Sequence, residues 1–211
     1  MKKQLLTLAL AAAAIATAGA GSALAQTRAA TRAPGAAAGK PEDLLKVKSI
    51  TKPGASCLVP SPVFDGKVRS PGRNSSAKKK WAQFEVEYTT KAEWTDAITF
   101  TFHVMSMDDE KTPHYYSTSV TYLDVAKGDH GACVMLPPSA VLRYGTPMAY
   151  GVEIEIDGKT VASGGEGQWK DTQWWTKLDA VKKLERHSGQ LQDRSKTPFG
   201  LTFIDEYEAV R

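Results

Sequence analysis

Stretch after stretch of this chain alternates apolar and polar residues with a period of two, and a backbone patterned this way buries one side only as a sheet. Ala82, Phe84, Val86 and Tyr88 share one face, with Gln83, Glu85 and Glu87 on the other. Ile98, Phe100, Phe102 and Val104 repeat the pattern against Thr99, Thr101 and His103. Tyr116, Thr118, Val120 and Tyr122 form a further face, and Ala132, Val134 and Leu136 oppose Cys133 and Met135. Tyr150, Val152, Ile154 and Ile156 lead into Asp157-Gly158, a strong two-residue hairpin signal, and the chain returns through Lys159 to Ala162. Leu45, Val47 and Ser49 against Lys46 and Lys48 predict a half-buried strand ahead of all these. Pro138 to Gly145 predicts one short helical turn. No helices alternate with the strands, which excludes a parallel α/β sheet and favours an antiparallel two-sheet sandwich over 44–165. Beyond it, Leu178, Val181 and Leu184 predict a helix over 179–187, and the apolar content of 166–211 predicts an extension docked on the sandwich.

The N-terminus carries a different message. Lys2 and Lys3 precede an apolar run from Leu5 to Gly19, and Ala23-Leu24-Ala25 places small residues before Gln26. This is the layout of a secretory signal peptide over 1–25, cleaved after Ala25. Residues 26–43, rich in Ala, Thr, Arg, Gly and Pro, read as a flexible linker. The expected location is the periplasm, the outer-membrane surface or the extracellular space. Cleavage leaves about 185 residues, enough for a real core. The formal charge of +4 includes both leader lysines, so the mature chain has no marked excess, and nucleic acid is not an expected partner.

Cys57 and Cys133 are the two cysteines. In an oxidising compartment they are expected to pair, closing a loop of about 75 residues worth roughly 4–5 kcal/mol in the chain-entropy model. Two separate buried thiols are the alternative. Catalytic chemistry finds little support. His103, His114, His130 and His187 include no pair at i, i+4, no Gly-x-Ser-x-Gly turn is present, and the strand carboxylates occupy the wet side of a sheet. No catalytic residue, metal or cofactor is expected, and a hydrolase is the third-ranked reading. Trp169, Trp174 and Trp175 lie among polar residues and could stack on sugar rings, or could instead cap the core. Lys67, Arg69, Arg73, Lys78, Lys79 and Lys80 form a basic patch suited to anionic glycans or lipid head groups, or simply to solvent.

An exported antiparallel sandwich with a cysteine pair points to the immunoglobulin-like class. Trp81 lies between the cysteines, although Gly131 stands where an antibody domain has its corner tyrosine. The segment Asp193-Arg194-Ser195-Lys196-Thr197-Pro198-Phe199, followed by Asp205-Glu206-Tyr207-Glu208, resembles a group of secreted Ig-like surface proteins from mucin-degrading Verrucomicrobia-type bacteria. One of that group is encoded beside type IV pilus components. The resemblance implies a noncatalytic cell-envelope or extracellular protein, pilus-associated or engaged in host or mucin contact, with no family catalytic residues to carry over. The leader lacks the exposed apolar helix by which pilins assemble, so an accessory or adhesin role fits better than a filament subunit. Expected partners are envelope proteins, pilus components among them, a glycan or mucin, and a second copy added at a sheet edge. The alternative function is a carbohydrate-binding module acting through the three tryptophans.

Overall fold

The alternating runs at 82–88 and 98–104 belong to one strand. In the computed structural model, which describes residues 44–62, 79–169, 171–202 and 207–211, β3 spans Lys80–Met107 and β4 spans Pro113–Leu136. They form a single antiparallel hairpin, paired from Ala82↔Leu136 to Met107↔Pro113. At its tip Asp108 Oδ1 accepts the Thr112 N–H at 2.8 Å. The expected signal peptide and linker, together with Lys67, Arg69, Arg73 and Lys78, lie outside the described residues.

The other edge of β3 is shared. β2 (Leu58–Pro60) and β1 (Leu45–Ile50) pair with its first half. β5 (Pro147–Ile156) takes its second half, and β6 (Lys159–Gly167) adds to β5. Between the halves the β3–β4 register shifts from Thr90 to Trp94. The buried Thr90 hydroxyl donates to Ala126 O at 2.6 Å and accepts the Gly128 N–H at 3.1 Å, satisfying backbone that the ladder leaves unpaired. At this irregularity the sheet folds on itself. Phe84 from the first half then meets Tyr150 from the second with ring centroids 5.0 Å apart, and Tyr88 meets Phe100 at 4.9 Å. The mainly β class is as expected, with the layering made, among the described residues, by two halves of one eight-stranded sheet. The four aromatics lie fully buried within one core.

Turns follow their residues. Asp157 (φ 53°) and Gly158 (φ 70°) form the left-handed pair that joins β5 to β6. The short helix α1 (Pro138–Tyr144) starts on a proline and stops at Gly145, with φ 84°. A Cβ at Gly145 would fall 2.0 Å from Met107 O, so only glycine lets the helix end against the hairpin tip. Ser106 Oγ donates to Tyr144 O at 2.7 Å and fixes the last helical residue there.

The C-terminal extension docks on both sides of the sheet. Leu191 enters the main core, β8 (Gln192–Asp193) pairs with β4, and Val210 bridges Tyr122. On the outer face, Trp174, Trp175 and Leu178 pack with Met105, Tyr115 and Ala149 in a second cluster. The helix expected over 179–187 does not form. A 3-10 segment at Trp174–Ala180 precedes Lys183, whose φ of 58° breaks any helix, and β7 (Glu185–His187) then pairs parallel to β4 at 114–116.

The expected disulfide is also corrected: Cys57 and Cys133 are both free and buried. Cys57 lies in the core between the sheet halves, where its thiol donates to Gly54 O at 3.0 Å. Cys133 alternates with the core residues Ala132 and Val134 and faces the opposite side, its thiol 3.8 Å from the Met135 sulfur. Burial pushes the Cys57 thiol up to about 11 and raises Cys133 further. Denatured, unreduced protein should therefore yield two titratable thiols per chain with a colorimetric disulfide reagent, while the native chain reacts only as fast as it opens. Recovery of none in denaturant would restore the bridge.

Candidate functional site

Trp174 and Trp175 are each 6 % exposed, which places these two in the core-packing arrangement and not on a sugar-stacking surface. Trp175 stacks on His103 (4.9 Å, 7° between planes) and its indole N–H donates to Glu153 Oε1 at 3.0 Å. Trp174 meets Trp175 and Tyr115 edge-on. Both indoles thus have their faces occupied by the chain. Trp169 remains 38 % exposed, tilted over Trp174 at 5.4 Å, a single indole where a sugar platform needs several. Of the basic patch, Lys79 and Lys80 are described, and both are exposed.

His103 lies under this cluster, 2.6 Å from the Tyr115 hydroxyl through Nδ1. Its Nε2 is 3.7 Å from Glu153 Oε2, too far for a hydrogen bond. Burial pulls its pKa down to about 4, with the Glu153 charge opposing only in part. The unfolded chain therefore binds the extra proton more readily than the fold does. Stability contributed by this group is complete above about pH 6.5 and is lost as pH falls through 4, on the order of 3 kcal/mol in all. Denaturant titrations between those limits should show the loss, and His103→Gln should flatten it.

A polar groove of about 580 Å³ opens where the tail crosses the first half of the sheet. Glu85, Glu87, Asp129, His130, Tyr207 and Glu208 line it. Tyr207 donates to Glu85 Oε1 at 2.9 Å, Ser49 to Glu87 Oε2 at 2.8 Å, and Lys48 pairs with Asp129 at 2.6 Å. His130 Nδ1 is 3.1 Å from Glu208 Oε1. Each of these carboxylates has a partner from the chain, and the contacts of Tyr207 and Glu208 hold the tail to the sheet.

The histidines behave otherwise than their sequence spacing suggests. His103 and His130 are apart in separate settings, but β7 brings His187 to His114, with Nε2 and Nδ1 3.0 Å apart. Among the described residues, His114, Glu185 and His187 form a group whose ligating atoms lie within 4.8 Å of one another. Burial lowers the pKa of His187, and the neighbouring His114 adds to the shift. Asp108, from the hairpin tip, stands 3.2 Å from His114 Nε2.

A family model matches residues 46–211, nearly the whole of the described fold. The chain belongs to that family. The match runs from β1 through the C-terminal extension, so tail and folded sheet are parts of one family unit. Among solved structures, a crystal structure of a protein from Akkermansia muciniphila is similar, with a TM-score of 0.64 and 26 % identity. The similarity covers 79 % of this chain and 94 % of that one. No curated protein matches.

Proposed function

We propose that this protein is a noncatalytic interaction protein of the cell envelope, associated with pilus machinery or engaged in host or mucin contact. The observation that carries the reading is the match to the Akkermansia muciniphila protein over 94 % of that protein's length, joined to an N-terminus laid out for export. The similarity in fold extends over 79 % of this chain, at 26 % identity. The described geometry is consistent with a binding role. Trp174 and Trp175 are packed inside while Trp169 is exposed, and the groove carboxylates are paired within the chain. At the sheet margin, β6 has a strand partner, β5, on one side, and its other side is where a strand from a partner or a second copy would add.

Export is the part of this reading most readily tested. Expressed in its own cell type, the mature chain should begin at Gln26 by intact mass and N-terminal sequencing, and should be cleaved by protease added to whole cells if it reaches the surface. An unprocessed chain in the cytoplasmic fraction would contradict the reading.

A further inference from the structure

The geometry points to a divalent transition-metal site of the zinc class, formed by His114 Nδ1, His187 Nε2 and Glu185 Oε2. The backbone builds it. Glu185 and His187 are two residues apart on β7, so both project from the same face of the strand, and His114 on β4 stands directly across from Glu185. The three atoms are separated by 3.0 Å (His114 to His187), 3.3 Å (His114 to Glu185) and 3.9 Å (His187 to Glu185). Ligands held about 2.1 Å from a tetrahedral ion lie about 3.4 Å from one another, so these separations leave room for one such ion and no larger cage.

The surroundings fit the same chemistry. Asp108 Oδ2 accepts the Nε2–H of His114, which fixes the tautomer that turns the Nδ1 lone pair toward the other two ligands. A cation satisfies all three atoms together. Glu185 and Asp108 supply two negative charges beside a divalent ion, whereas Arg143, over the Tyr144 ring at 5.1 Å, is an opposing charge. The rings are also held in place: His187 stacks on Tyr116 (5.2 Å, 22°), and Tyr144 packs against His187 at 4.4 Å and His114 at 4.6 Å. His114 is buried while the Glu185 side chain is 57 % exposed, so a fourth position opens to solvent. The ion would tie β7, and with it the tail, to the tip of the β3–β4 hairpin.

The test uses the purified full chain, stripped with chelator and titrated with Co²⁺ and then Zn²⁺. One equivalent of Co²⁺ should give the intense visible bands of a tetrahedral site, and Zn²⁺ should displace it. Zinc should also slow amide hydrogen exchange at 185–187 and raise the thermal midpoint. Glu185→Gln, an exposed position whose replacement leaves the fold intact, should weaken binding at least ~10-fold, and Asp108→Asn by about 10- to 100-fold. The absence of a stoichiometric Co²⁺ spectrum would overturn the assignment. So would wild-type affinity in both variants, or NMR evidence that His114 simply keeps a proton on Nδ1 shared with Glu185 in the presence of zinc.

Discussion

Replacing Trp175 with alanine is expected to destabilise the chain by about 3–5 kcal/mol and lower its thermal midpoint by roughly 10 °C. The indole is the centre of the outer cluster: it covers His103, donates to Glu153, and lies directly over the β5 and β6 backbones. Those backbones are glycine where it lands. A Cβ at Gly151 would sit 2.1 Å from the Trp175 ring, and one at Gly165 would sit 3.0 Å from it and 2.3 Å from Thr172 O. Trp175 and Gly151 should therefore be coupled. Gly151→Ala alone is expected to cost about 1–3 kcal/mol through overpacking. In a Trp175→Leu background, where the ring is gone, most of that cost should vanish. A double-mutant cycle in denaturant reads the coupling directly, and additive effects would show that the ring does not press on that glycine.

Phe84→Ala should match this effect from the other side of the sheet, again about 3–5 kcal/mol. Phe84 is fully buried, and its ring contacts Tyr150 across the fold of the sheet. Losing it removes packing between the two halves instead of within one. The variant should thus loosen the β3–β4 hairpin at its bulge as well as lowering global stability. Native-state hydrogen exchange at Thr89 to Ala97 reports this loosening. A drop in stability without faster exchange there would place the junction elsewhere. Phe84→Leu, which keeps most of the volume, should recover most of the loss.

The alternation of apolar residues made the strands legible because each strand half buries one face against the other half of the sheet. Continuity was not legible. Thr89-Thr90-Lys91-Ala92-Glu93 has no apolar rhythm, so β3 reads as two strands, although hydrogen bonds through Thr90 carry the chain across the irregularity. The tail misled for a related reason. Leu178, Val181 and Leu184 have helical spacing, yet they pack from a 3-10 turn and a loop because Lys183 adopts a left-handed conformation. That error hid the histidine cluster as well. On a helix, Glu185 and His187 point in nearly opposite directions; on a strand they share a face. Nothing local signals that β7 will lie beside His114, about seventy residues earlier, since that pairing is a tertiary outcome. The cysteines taught a similar lesson, since compartment alone suggested a bridge, whereas strand parity turns Cys133 away from the core that holds Cys57.

The central claim is that this chain works by binding envelope partners, and crosslinking in intact cells tests it most directly. The tagged chain would be crosslinked in place, recovered under denaturing conditions and its attached proteins identified by mass spectrometry. The account predicts enrichment of pilus or outer-membrane assembly proteins, reduced by charged substitutions at exposed β6 positions such as Thr160→Lys and Ser163→Asp, once those variants are shown to fold. Recovery of the chain alone, or of the same partners from the β6 variants and from an unrelated exported control, would contradict it.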